Sequence, residues 1–368
     1  MKILIINEVC GSGSTGKICE QIARDYAAKG HTVTIAYGRD DYPVSETSKP
    51  YAKFIGSGID VKLHALMSRV FDNAGLNSKA VTKRFIRWAD EYKPDLIWLH
   101  NIHGYYINYK LLFEWIKSLH QVEIRWTLHD CWPFTGHCAY FSAAGCDKWK
   151  TGCGSCPQKC EYPKSVLADR SARNYQDKLK AFTGVNNMTL IVPSEWLADL
   201  VRQSFMGQYK VEVVPNVADA SVFKPTETGF RQKYGLEGKV ILLGVATQWN
   251  KRKNLPDYIE VARRLGDKVT LVLLGLTEEQ INTLPTNVLG FKNVDSQTDL
   301  AGLYSTADML LHLSLEETFG MTILEASMCG TKSICYKDTA CEEVALKLGG
   351  FVASDIEEVI NTIEREIL

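Results

Sequence analysis

Apolar positions in this chain alternate between short solid runs and longer stretches with helical spacing. Lys2–Asn7 reads as a strand buried on both faces, and Thr32–Tyr37, 96–100 and 123–128 repeat the pattern. Solid apolar runs of four to six residues suit central strands of a parallel sheet, because helices cover both faces of such a sheet. Between these runs the spacing predicts helices over 17–29, Lys79–Tyr92 and 109–119, with Gly30-His31 closing the first. A second series begins later. Strands are expected at 239–245, 268–274, 307–313 and Ser333–Tyr336, with helices over Leu255–Leu265 and 300–305 and an apolar helix after Gly320. Strand-then-helix alternation of this kind predicts doubly wound α/β architecture.

A break separates the two series. Val211 to Val217 and Val222 to Pro225 carry Pro215, Asn216 and Pro225 around short apolar runs, which suits a crossing between domains. The chain thus divides into residues 1–210, a linker over 211–225, a second domain over 226–354 and a terminal helix over 355–368. Two Rossmann-like doubly wound domains facing a cleft are expected, with ligands at the polar ends of the strands.

Composition narrows the functional classes. The 368 residues are 45% hydrophobic and 23% charged, as in globular proteins, and the formal net charge is −1. A near-neutral chain has no global field that would gather nucleic acid, so no nucleic-acid partner is expected. The first apolar run spans only four residues, and no later run reaches membrane-spanning length. A cytoplasmic protein is therefore expected, and in a reducing compartment its 11 cysteines are free thiols or metal ligands. Six of them fall between Cys131 and Cys160. Cys138, Cys146, Cys153 and Cys156 form a C-x7-C-x6-C-x2-C series. These four are a candidate structural zinc site that would staple a loop without a core of its own, with reduced thiols as the alternative.

Several positions carry candidate chemistry. Glu317 and Glu325 bracket Thr318-Phe319-Gly320-Met321, where a strand turns into a helix. Free amides at a helix start attract phosphate, and flanking carboxylates can hold sugar and ribose hydroxyls, so this joint suits a sugar diphosphate. The alternative is a capped helix with two solvated acids. Gly11 to Ile18 nearly matches G-x4-G-K-[ST], but Ile18 lacks the hydroxyl that would ligate magnesium. The region fits a Gly-rich loop whose Gly13, Thr15 and Gly16 approach a phosphate or an acceptor; a phosphotransferase using Lys17 is the rival. His129 follows a strand and adjoins Asp130, which can set its tautomer; a packed histidine is the alternative. His100 and His103 flank another strand end. From Val61 to Trp88, Lys62, Arg69, Lys79, Lys83, Arg84 and Arg87 interleave with Leu63, Leu66, Val70, Phe71, Phe85 and Trp88. Such a face either rests on anionic lipid or packs as an ordinary helix.

The Gly-rich start, the His129-Asp130 stretch, Val192-Pro193-Ser194-Glu195-Trp196, Pro215-Asn216 and Glu317-x7-Glu325 occur in an order that resembles the retaining GT-B glycosyltransferases of family 4. Gly11 to Ile18 and His129 to Gly136 are similar to a branch that serves bacterial surface polysaccharide assembly. The resemblance implies a nucleotide-sugar donor, with UDP as the base, and a glycan or lipid-linked acceptor; the basic face over 61–88 is what would reach such an acceptor by peripheral contact at a membrane. It implies that Glu317 orients the donor sugar, that His129 faces the transferred sugar, and that Glu325 takes ribose hydroxyls. Lys253 would hold the diphosphate and replace a catalytic metal, so no cofactor is expected for the reaction. The family's arginine, some six residues before that lysine, is replaced here by Ala246 or Thr247, and Arg252 is the candidate substitute. A terminal helix that recrosses to the first domain is also implied. A non-catalytic sugar-nucleotide binder and a zinc-dependent interaction module remain rival readings.

Overall fold

The computed structural model describes residues 1–368, which divide into two units, Met1–Val214 and Pro215–Leu368. In the first unit the apolar runs become adjacent strands because each buries both of its faces. β1 (Lys2–Asn7), β2 (Thr32–Tyr37), β3 (Ala52–Phe54), β4 (Leu96–Leu99), β5 (Glu123–Thr127), β6 (Met188–Val192) and β7 (Lys210–Val213) pair in the order β3-β2-β1-β4-β5-β6-β7. All six pairings are parallel; β1 sits between β2 and β4, with Ile5 opposite both Ile35 and Trp98. The crossovers carry α1 (Gly13–Ala28), α2 (Gly58–Phe71), α3 (Lys79–Tyr92), α4 (Tyr109–Ser118), α5 (Ser171–Phe182) and α6 (Glu195–Gln203). The strand order reverses beside β1, so the loops after β1 and β4 flank the switch point where such sheets open.

The second unit repeats the plan. β8 (Val240–Val245), β9 (Val269–Leu274), β10 (Val288–Phe291), β11 (Met309–His312), β12 (Ser333–Tyr336) and β13 (Phe351–Ala353) form a parallel sheet in the order β10-β9-β8-β11-β12-β13. α7 (Phe230–Tyr234), α8 (Leu255–Leu265), α9 (Glu278–Ile281), α10 (Gln297–Thr306), α11 (Met321–Met328), α12 (Ala340–Lys347) and α13 (Ile356–Glu366) surround it. No helix in either unit is long and apolar enough to cross a membrane.

Four features differ from the sequence expectations, each for a local physical reason. α1 begins at Gly13 rather than 17, because Gly13 adopts φ +62° after an extended Ser12 and starts the helix early. Gly16 and Lys17 are therefore helical residues, which removes the phosphotransferase loop considered for 11–18. Val211–Val213, read as linker, instead pair with β6 as the edge strand β7. The terminal helix packs on its own unit: Val359, Ile360 and Ile363 are buried with residues of α8 and β9, and Arg264–Glu357 and Lys268–Glu364 pair across α8 and α13. The cysteine loop is tied into the first unit's core, since Phe134, Phe141 and Trp149 are buried in that cluster, with ring centroids 4.8 Å apart for Phe141–Trp149 and 5.6 Å for Phe134–Trp149. Of the two readings of 61–88, the packed helix holds for α3, where Phe85 is buried and Trp88 packs against the first unit's core; exposed apolar side chains are left to α2.

The placement of α13 makes a prediction. Ile363→Ala empties a fully buried position and should cost about 2–5 kcal/mol. Hydrogen exchange should quicken in α8 and β9 while β1 and β4 stay protected. Unchanged protection in the second sheet would contradict the packing described.

Candidate active site

In the second unit the loops after β8 and β11 are laced together. Residues 251–253 form a single tight turn capped by Asn250, whose side chain accepts from the Lys253 amide at 3.1 Å. The Leu315 amide donates to the Arg252 carbonyl at 2.9 Å, and Asn254 Nδ2 donates to the Leu313 carbonyl at 3.3 Å. The Tyr258 hydroxyl accepts from the Leu313 amide at 2.8 Å and donates to the Leu311 carbonyl at 3.2 Å. The hydrogen bonds fix the basic turn beside the end of β11. There Lys253 Nζ lies 2.5 Å and Arg252 Nη1 2.7 Å from the same oxygen, Glu317 Oε1. Arg252 Nη1 also donates to the Glu316 carbonyl at 2.7 Å.

This oxygen decides the electrostatics. Burial pushes the Glu317 carboxyl up, but Lys253 and Arg252 overcome it and hold the group down at about 2. His312, the last residue of β11, has Nε2 3.8 Å from Glu317 Oε1 and Nδ1 2.9 Å from Thr322 Oγ1. Burial, helped by the Lys253 charge, drops His312 to about 4, so its ring is neutral near pH 7. The carboxylate is therefore a fixed negative charge and the histidine a neutral partner.

The helix start beyond it is shaped for close approach. Gly320 caps α11 at φ +95°, and a β-carbon there would stand 2.8 Å from Cys341 Sγ. Phe319 is buried in the core, which anchors the turn, and Thr318 is buried beside it. The amides of Met321 and its neighbours begin α11 and follow the Gly320 turn. Glu325 sits one turn into α11, where its Oε2 accepts from the Tyr304 hydroxyl at 2.8 Å.

In the first unit the ends of β1, β4 and β5 carry a second polar cluster. His129 is hydrogen-bonded to His100, with Nε2 and Nδ1 2.9 Å apart and the rings stacked at 5.2 Å. Asp130 was expected to set the His129 tautomer; instead Asp130 Oδ2 lies 3.0 Å from His103 Nε2, and Oδ1 accepts from the Trp132 amide at 2.9 Å. His100 takes that role because the rings sit side by side at adjacent strand ends. Burial, despite Asp130, lowers His129 to about 4. Burial opposes charge on His103, yet Asp130 outweighs it and raises that pKa. Burial also raises the Glu8 carboxyl, whose Oε1 lies 3.4 Å from Asn101 Nδ2. A neutral histidine pair thus adjoins an Asp–His ion pair. Gly13, Thr15 and Gly16 lie at the start of α1, where Asn7 Nδ2 approaches Thr15 Oγ1 at 3.3 Å and the Gly11 amide donates to the Gly16 carbonyl at 3.2 Å.

Arg252, Lys253 and Glu317 converge on one oxygen, and Thr318 to Met321 join them to the helix that carries Glu325. Sequence reasoning assigned no role to His312 or Tyr304. His312 lies within an apolar run and reads as a strand residue, and no motif spacing links Tyr304 to Glu325. His103 was noted, but its pairing with Asp130 is a contact between strand ends that local sequence does not reveal.

The architecture, two all-parallel α/β units with an acid-flanked helix start in the second, is that of the GT-B glycosyltransferases. Sucrose-phosphate synthase from Thermosynechococcus elongatus superposes with a TM-score of 0.68 at 16% identity, over 99% of this chain and 89% of that one. Anabaena HepE, solved in complex with UDP-glucose, gives 0.64 at 16% identity over 99% and 89%. The chain belongs to glycosyltransferase family 4: the model described as Glycosyltransferase Family 4 matches residues 15–222, and that described as Glycosyl transferases group 1 matches 227–365. The putative colanic acid biosynthesis glycosyl transferase WcaC of Escherichia coli (strain K12) is 27% identical over 282 residues, 74% of this chain and 66% of that protein. The GDP-mannose-dependent alpha-(1-6)-phosphatidylinositol dimannoside mannosyltransferase of Mycobacterium tuberculosis (strain ATCC 25177 / H37Ra) is 25% identical over 216 residues, 55% of each chain. The matched stretch spans just under two thirds of the first relative and about half of the second.

The two cations give a pH-resolved prediction. Glu317→Gln leaves Lys253 and Arg252 without their carboxylate and should cost about 3 kcal/mol near neutral pH. Glu317 has a depressed pKa when folded, so its contribution is full above the ordinary value of 4.5 and fades as pH falls toward about 2. The melting-temperature gap between wild type and Glu317→Gln should therefore narrow over that window. A gap that stays constant from pH 6 to pH 3 would contradict the ionised pairing.

Proposed function

We propose that this protein moves a sugar from a nucleotide diphosphate sugar, a UDP-sugar, to a hydroxyl of a glycan or lipid-linked saccharide during assembly of a surface polysaccharide such as capsule, exopolysaccharide or O-antigen. The observation that carries this reading is the Glu317 carboxylate held ionised by Lys253 and Arg252 at the start of α11. A bound diphosphate would share those two cations with Glu317 and meet the α11 amides. As the bond between the sugar's anomeric carbon and phosphate oxygen breaks, its electron pair leaves on the diphosphate, whose growing charge Lys253 and Arg252 offset. Glu317 orients the sugar and stabilises its positive character. Glu325 accepts from ribose hydroxyls. The acceptor hydroxyl forms the new bond with retention and passes its proton to the departing diphosphate oxygen. Because two side-chain cations stand at the diphosphate, the reading assigns no catalytic metal.

The reading also places the protein in the cytoplasm, in peripheral contact with the membrane. Ile59, Leu63 and Leu66 project from one face of α2 at 83%, 56% and 58% exposure, beside the exposed cations Lys62 and Arg69. The Val166 amide donates to the Arg69 carbonyl at 2.7 Å, which brings exposed Val166 and Leu167 to the end of that helix. An apolar ridge rimmed by cations suits an anionic bilayer surface, where a lipid-linked acceptor resides.

Two experiments test these statements. A thermal-shift screen against UDP-, GDP- and ADP-sugars should rank a UDP-sugar first, and a ligand at a hundred times its Kd should add about 2.7 kcal/mol. A guanosine sugar ranking first would reassign the base, as in the mycobacterial relative's name, and no shift with any nucleotide sugar would reject donor binding. Separately, Leu63→Asp with Leu66→Asp should lower co-sedimentation with phosphatidylglycerol vesicles. Equal sedimentation of wild type and variant would remove the membrane assignment.

A further inference from the structure

The loop between β5 and α5 gathers four thiols that the transfer reaction does not use. Cys138, Cys146, Cys153 and Cys156 line one cavity of about 10 Å³, roughly the space of a single water-sized sphere. The thiols of Cys138 and Cys156 are hydrogen-bonded to each other, and the Gly136 amide donates to Cys153 Sγ at 3.1 Å. His137 lines the same cavity. It is 2% exposed, its Nδ1 stands 2.5 Å from Asp72 Oδ1, and its Nε2 has no hydrogen-bond partner. Lys178 is buried nearby, within electrostatic reach of Cys153 and Cys138, with its ammonium donating to the Trp132 carbonyl at 2.7 Å.

We propose that Cys138, Cys146, Cys153 and Cys156 bind one zinc ion as a tetrahedral tetrathiolate that fixes the loop between β5 and α5. Binding converts four thiols to thiolates, forms four Zn–S bonds and releases four protons. The resulting centre has a net charge of −2, for which buried Lys178 supplies a counter-charge. The thiols are gathered around the cavity but not drawn into a finished shell, and no group of three or more acids, histidines or cysteines is spaced to grip an ion as it stands. A bound ion would contract them, since Zn–S bonds of about 2.3 Å set tetrahedral sulfurs roughly 3.8 Å apart. Cys138 and Cys156 already touch. Neither Cys131 nor Cys160 lines that cavity, so neither belongs to the set. Phe134, Phe141 and Trp149 of this loop join the first unit's core, and Phe141 and Trp149 line the same cavity. The ion would therefore order the segment that α2 meets through the Asp72–His137 contact.

The test is elemental analysis of the full chain purified without a metal-affinity tag from zinc-supplemented culture. About one zinc per chain is expected in wild type and in Cys160→Ser, and at least a tenfold loss in Cys153→Ser with Cys156→Ser. Metal-free wild type, or a double variant that keeps its zinc, would overturn the proposal. Because that variant can fail to fold, cobalt(II) is also substituted into wild type. Intense visible d–d bands with thiolate-to-cobalt charge transfer support a tetrathiolate, and an octahedral spectrum refutes it. A disulfide among the four, seen by mass spectrometry under non-reducing conditions, would likewise overturn it. So would zinc lost in His137→Gln but kept in Cys138→Ser, which would make His137 the fourth ligand. None of these readouts depends on sugar transfer, so this proposal can fail while the functional reading stands.

Discussion

A carboxylate kept charged at the end of a buried strand organises the second unit. Left alone, burial would protonate Glu317. Two cations on one oxygen prevent that, and they stand there because the turn over residues 251–253 is tied to the β11 loop through Leu315, Asn254 and Tyr258. Two strand ends are thus coupled by charge and by backbone hydrogen bonds together. Truncating any one partner would leave buried charge behind, which makes the joint a rigid feature of the fold.

The first unit solves a related problem with different chemistry. At the ends of β4 and β5, buried His100 and half-buried His129 are held as neutral rings, while Asp130 raises the pKa of buried His103. Neutral and charged histidines stand a few residues apart because one has a carboxylate and the other has a second imidazole. A parallel sheet brings such residues together: every strand runs the same way, so polar residues that end neighbouring strands meet at one edge.

Much of this was legible in the chain, and the losses have physical causes. The central strands announced themselves as solid apolar runs. The acids around Thr318 to Gly320 were found from residue type beside a strand-to-helix turn, and Arg252 and Lys253 from the resemblance to family 4. Short edge strands escaped: β3 has three residues, and β7 follows a polar stretch and ends at a proline, so it read as linker. The terminal helix was assigned by resemblance to another unit, although its Val359, Ile360 and Ile363 stripe needed only the nearest apolar surface, that of α8 and β9. His312 escaped because a histidine in an apolar run carries no signal until its neighbours in space are known. The cysteine spacing was noticed, but the aromatic trio that packs the same loop was not, since Phe134, Phe141 and Trp149 follow no period.

The most direct test is the rate of sugar transfer, followed as nucleoside diphosphate released per acceptor glycosylated, in Glu317→Gln and Glu325→Gln proteins whose folding has been verified by circular dichroism. If an ionised Glu317 orients the sugar and Glu325 holds the ribose, kcat/KM should fall by about a hundredfold or more in each. Transfer at the wild-type rate in both variants would contradict the account.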